Sequence, residues 1–274
     1  MLVIPRNRTK ILNRNMNSMQ RLIILLSVPL FSACNNEGHK NEKAKVINTD
    51  IPVEHIEPTA DQKARREQSE AVCKAHNVPI YSNPNSLFVT SEAQTTLRTQ
   101  DEVAKRALAL CYIGLKSEGL EKRILDQVDS AYHISPNFTP KEREYVEATT
   151  PTKQQAVDAN WRYEGLHVML WALGYVDQLD YPTKPCDVAA DNKIIHQLAN
   201  DANFKQKAKL RSKKEILDQA DLILRLDWAC VNARVKGQPM PGDLNNDVVT
   251  EWHHALNWLI NYANQDWDDV STDT

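Results

Sequence analysis

Residues 152–174, TKQQAVDANWRYEGLHVMLWALG, carry a helix start signal followed by an apolar surface that runs on both sides of the helix. Thr152-x-x-Gln155 has the capping-box form, in which the threonine oxygen accepts a backbone N–H and the amide returns one. Pro151 sits just ahead of it, where a preceding helix has to have stopped. Advancing about 100° per residue puts Glu164 on one stripe with Val157, Trp161, Val168 and Trp171, while Leu166, Met169, Leu170 and Leu173 fill the opposite side. A helix apolar on both sides is a buried helix. The stretch therefore predicts a central helix, with Glu164 as a carboxylate among tryptophans.

The same wheel applied outward gives two further central helices. Over Lys213 to Lys236 it places Asp227 between Ile216, Ala220, Ile223 and Val231, with Arg234 two turns on, and leaves Asp218, Asp221 and Arg225 as the wet edge. Over Asp247 to Ala263, Glu251 shares a stripe with Val248, Ala255, Trp258 and Tyr262, and His253 shares another with Val249, Leu256 and Ile260. Thr99-x-x-Glu102 opens a further capped helix, with Val103, Ala107, Leu110 and Gly114 on one face. Helical patterns also run over Asp61 to His76, Leu120 to Tyr132, Pro140 to Ala148 and Val188 to Phe204. Only residues 78–89, which contain Pro79 and Pro84, read as extended. The expectation is an all-α single domain of seven to eight helices. All six tryptophans fall in the second half, on three helices and the tail, which predicts that those three helices are the central ones.

Composition narrows the function. The 274 residues include only 7 glycines, too few and too scattered for a G-x-G-x-x-G dinucleotide loop or a Lys-Ser/Thr phosphate loop. No H-E-x-x-H, G-x-S-x-G or C-x-x-C spacing occurs. No cofactor is expected.

The first 33 residues contain Arg6, Arg8, Lys10, Arg14 and Arg21 and no acid, then the apolar run Leu22 to Phe31, then Ser32 and Ala33. This is a secretory leader, too short to span a bilayer. Cys34 directly after Leu30-Phe31-Ser32-Ala33 resembles a lipobox, which implies cleavage before Cys34 and its lipidation. A signal peptide over 1–33, a lipidated Cys34 with a polar tether over 34–58, and a helical domain over 59–274 follow. The leader removes five of the 33 basic residues and none of the 36 acids, so the mature chain, with 28 against 36, is near −8. That charge disfavours nucleic acid as a partner. The expected partners are a membrane, through the anchor, and a protein or small ligand. The expected place is the bacterial cell envelope, facing outside the cytoplasm. Cys73, Cys111, Cys186 and Cys230 lie in or beside apolar stretches and fit two disulfides or four thiols equally. The acidic tail Asp266-Trp267-Asp268-Asp269 either stays solvated or docks through Trp267 with its acids facing Arg or Lys.

The candidate chemistry lies in the polar residues on apolar faces: Glu164, Asp227, Glu251 and His253. A buried carboxylate has to be paired, hydrogen-bonded or protonated. Arg98, Arg106, Arg162 and Arg234 are available as partners, so a structural network that fixes helix register is the first reading. An acid/base enzyme built on the same four residues is the alternative. Glu164-x-x-His167 and Glu251-x-x-His254 also have the i, i+3 spacing of carboxylate-bridged di-iron bundles. Their histidines fall about 60° off the glutamate stripes, so no metal is expected from the spacing alone.

Four segments carry a family likeness: WRYEGLHVMLWALG (161–174), LRSKKEILDQADLILRLDWA (210–229), ALNWLI (255–260) and WDDVSTDT (267–274). Together they resemble the bacterial domain-of-unknown-function family 4272, over about residues 62–274. In that family an arginine commonly stands where this chain has Trp252. The resemblance implies a bacterial domain of this type and transfers no activity and no catalytic residue.

Overall fold

The structure, a computed structural model, describes residues 57–274. The leader, Cys34 and the tether as far as residue 56 lie outside the described residues. The rest is all-α, with nine α-helices and no strand among the described residues: α1 (Ala60–Ala75), α2 (Gln100–Ser117), α3 (Lys122–Tyr132), α4 (Pro140–Glu147), α5 (Lys153–Ala172), α6 (Val188–Leu198), α7 (Asp201–Lys207), α8 (Lys213–Val235) and α9 (Asn246–Leu259). Four short 3₁₀ turns accompany them. Among the described residues no helix is long and apolar enough to cross a membrane.

Local chemistry sets most helix starts. Five helices open on capping boxes: Thr59/Gln62, Thr99/Glu102, Thr139/Glu142, Thr152/Gln155 and Ser212/Glu215. The predicted helix over 188–204 breaks into two. Ala199 takes a left-handed φ of 65°, and Asn200 then caps α7 by accepting the Asn203 N–H. The predicted helix over 247–263 stops at Leu259, because Arg98 takes its last carbonyls. The Arg98 N–H donates to Leu259 O, and its guanidinium donates to Trp258 O and Gln265 O. The segment 78–89 is neither helix nor strand, a turn-containing loop in which Leu87 has a φ of 64°.

The helices pack in a chain of neighbours: α1 on α8, α8 on α9, α9 on α5, and α5 on α2, with α6 beside α5 and α3 and α4 beside α2. The most extensive pairing is α2 with α5. This corrects the tryptophan-based reading, since α2 holds no tryptophan yet is buried from Val103 to Gly114 almost without interruption. Ala104, Ala107 and Ala109 are all fully buried within it. Each fully buried Leu in this contact contributes about 2 kcal/mol.

The closest approach is at Gly114. A β-carbon there would lie 2.4–2.7 Å from three ring atoms of Tyr163, which is itself fully buried and cannot step aside. The four cysteines in the described part are free thiols, Cys73, Cys111 and Cys230 buried and Cys186 half-buried. The acidic tail docks. Trp267 is buried edge-on to His254 and Trp258 and lies under the Arg106 guanidinium, while Lys141 donates its backbone N–H to the Asp268 carboxylate.

Gly114→Ala should overpack the α2–α5 contact. The strain exceeds the gain in helix propensity, for a net loss of about 1–2 kcal/mol in urea denaturation. Unchanged stability would mean that the two helices are not this close.

Candidate functional site

Glu164 is 2% exposed and is answered by two neutral donors. Oε1 accepts the backbone N–H of Cys186 at 2.8 Å, and Oε2 accepts the indole Nε1–H of Trp252 at 2.9 Å. The carboxylate on α5 therefore ties down both the loop that leads into α6 and the middle of α9. The expectation of an acid among tryptophans holds for its Trp252 contact. Val157, placed on the same stripe, is 50% exposed, because the first turn of α5 projects beyond its packing partners.

One turn on, His167 faces Asp191 of α6, with Nδ1 2.9 Å from Oδ2 and 3.1 Å from Oδ1. Its ring lies against Trp252 at 6.1 Å. Burial opposes protonation of His167, but the Asp191 hydrogen bond and charge, with the charges of Glu164 and Asp180, outweigh it and raise the pKa. Cys186 completes the group. Burial, then the neighbouring Glu164 and Asp191 charges, push its thiol far up and keep it protonated. Ligand atoms of His167, Cys186 and Asp191 all lie within 4.8 Å of one another, the one such trio of His, Cys, Asp or Glu among the described residues.

The other candidates sit elsewhere, each with its own partner. Asp227 of α8 and His253 of α9 form a fully buried pair at 2.9 Å. Glu251 meets Arg162 of α5 at 3.1 Å. Burial raises the Glu251 pKa, Arg162 lowers it, and the Glu164, Asp158 and Asp247 charges add to the rise. His254 packs edge-on to Trp267, and its Nε2 is buried with no hydrogen-bond partner. Burial, reinforced by the Arg162 charge, lowers its pKa to about 4. The two Glu-x-x-His pairs thus do not converge, since Glu251 goes to an arginine and His254 to an indole, and only His167 of the four belongs to the trio.

Sequence reasoning misassigned Asp221 and Arg225. They are not a wet edge but a buried pair, 1% and 2% exposed, joined by two 2.9 Å hydrogen bonds, with Arg225 also donating to Leu87 O. A single-helix wheel does not include α1 and the 78–89 loop, which cover that side of α8. Cys186 and Asp191 were missed outright, although a signal existed. Asp191, Ile195 and Leu198, at i, i+4 and i+7, form the buried stripe of α6. Two open depressions lie on the described surface, one along α3 around Lys122 and Asp126, the other between α1 and α8 around Trp171 and Asp218. Neither is lined by Glu164, Asp227, Glu251 or His253.

Comparison with known proteins returns one match. The family described as "Domain of unknown function (DUF4272)" matches residues 65–270. No curated protein and no solved structure matches the chain.

Glu164→Gln replaces an acceptor by an amide that turns its NH₂ toward one of the two donors. It should cost about 2 kcal/mol, on the order of 5 °C in melting temperature. An unchanged melting temperature would contradict the pairing described. His254 makes a pH prediction. Its folded pKa of about 4 lies below the unfolded 6.5, so the unfolded chain binds the extra proton between those values. Its contribution to stability is complete above pH 6.5 and is lost as pH falls toward 4, by up to about 3 kcal/mol. Denaturation at pH 7 and at pH 4.5 should show a smaller fall for His254→Gln than for the parent. Equal falls would contradict the assignment.

Proposed function

The chain belongs to the DUF4272 family, and we propose that it is a lipid-anchored envelope protein whose helical domain acts by binding a protein or small ligand, without chemistry of its own. The observation that carries the non-catalytic half is the separate pairing of the candidate acids. Glu164 uses both oxygens on protein donors, Asp227 is closed off against His253, and Glu251 rests on Arg162. An acid/base enzyme on Glu164, Asp227, Glu251 and His253 needs those groups gathered where substrate and water reach them. Instead, each one fixes a contact between elements, which is what a rigid display scaffold requires. The anchoring half rests on the sequence. A basic leader, a ten-residue apolar run and Ser32-Ala33-Cys34 support lipidation of Cys34 ahead of a polar segment. The acidic mature surface favours a neutral or basic partner over nucleic acid.

Expression of the full chain in a bacterium with metabolic palmitate labelling tests the anchor. The expected product is labelled, begins at Cys34 and sediments with membranes, while Cys34→Ala is unlabelled. An unlabelled wild-type chain that keeps residues 1–33 in the cytosolic fraction would overturn the proposal.

A further inference from the structure

The geometry points to a binding site for a thiophilic divalent cation of the zinc class, formed by the imidazole of His167, the thiol of Cys186 and the carboxylate of Asp191, with Glu164 directly behind. This inference is independent of the proposed membrane anchoring.

The donor set comes first. Zinc takes cysteine sulfur, histidine nitrogen and carboxylate oxygen, and most such sites are tetrahedral. The combination of a soft sulfur with an imidazole selects against magnesium and calcium, which require oxygen donors throughout. Here the three donors come from two helices and the loop between them, α5, α6 and residues 173–187, so no one element brings them together by sequence adjacency.

The spacing comes second. With bonds of about 2.0–2.3 Å, tetrahedral ligands stand roughly 3.5 Å apart. The ligand atoms of the trio lie within 4.8 Å of one another, so a contraction of about an ångström would seat the ion. Glu164 stands outside the trio as the partner that holds the loop. Its Oε1 already fixes the Cys186 backbone N–H at 2.8 Å, the position from which the thiol is aimed.

Charge comes third. Glu164 and Asp191 are both 2% exposed, and among the described residues no Lys or Arg forms an ion pair with either. By contrast, the buried carboxylates of Glu142 and Asp221 each have an arginine, Arg106 and Arg225. Glu164, met only by neutral donors, beside Asp191, met by His167, leaves a local excess of negative charge that a divalent cation would neutralise. Access comes last. His167 and Cys186 are half-buried rather than sealed, which gives an ion a way in from solvent.

Binding would clamp the loop and α6 onto α5, and Cys186 would lose its thiol proton to solvent as the metal–sulfur bond forms. The test is a Co²⁺ titration of the full chain, purified reduced and treated with chelator, followed by competition with Zn²⁺. The expected result is one equivalent bound, with the visible bands of tetrahedral cobalt and a near-ultraviolet thiolate-to-cobalt band, all displaced by Zn²⁺. Cys186→Ala should abolish the thiolate band, and His167→Gln should weaken binding at least about tenfold. Cys34→Ala and Cys73→Ala should leave both unchanged. Substoichiometric binding by the parent chain, or a thiolate band that survives Cys186→Ala, would overturn the proposal, and the parent measurement does not depend on the folding of any variant.

Discussion

A carboxylate taken out of water has to find donors, and in this protein nearly every donor stands on a different element from the acid it answers. Glu164 of α5 draws in the Cys186 backbone and Trp252 of α9. Asp227 of α8 takes His253 of α9, Glu142 of α4 takes Arg106 of α2 at 2.6 Å, and Asp191 of α6 takes His167 of α5. Apolar burial drives the collapse of the bundle but is non-directional. Breaking a buried ion pair such as Glu142–Arg106 by removing one partner costs about 3–5 kcal/mol, a large part of the stability of a domain. The alternative packings that the same leucines and alanines would tolerate are therefore penalised wherever they separate an acid from its partner.

Helix starts and the central acids were legible in the sequence because both depend on local spacing. Thr99/Glu102 and Thr152/Gln155 form the capping boxes that their spacing announces, and Ser212/Glu215 follows the same rule. Glu164, Asp227 and His253 are buried as their helical stripes require. What failed were inferences about the outside of one helix made without its neighbours. Asp221 and Arg225 look wet on an isolated wheel, yet the Leu87 loop covers them. The split at Ala199 and the early end of α9 were also out of reach. One depends on a left-handed alanine, the other on Arg98, which is 160 residues away from the carbonyl of Trp258 that it takes.

The loop between α5 and α6 is where these constraints meet the proposed cation site. Arg211 pins its start by donating to Trp171 O, Val176 O and Asp177 O, Tyr181 stacks on His76 at 3.7 Å, and Glu164 holds its end at Cys186. A loop fixed at three points can present a thiol to an imidazole and a carboxylate with little freedom to lose on binding.

The central claim, that Glu164 is a buried acceptor which organises its neighbours, is tested most directly at the Trp252 indole N–H. In native-state hydrogen exchange, that proton should be protected nearly to the level of global unfolding, because its acceptor is 2% exposed and two helices have to part to expose it. Exchange at the rate of a free indole would show that the bond is absent, and the account would fail with it.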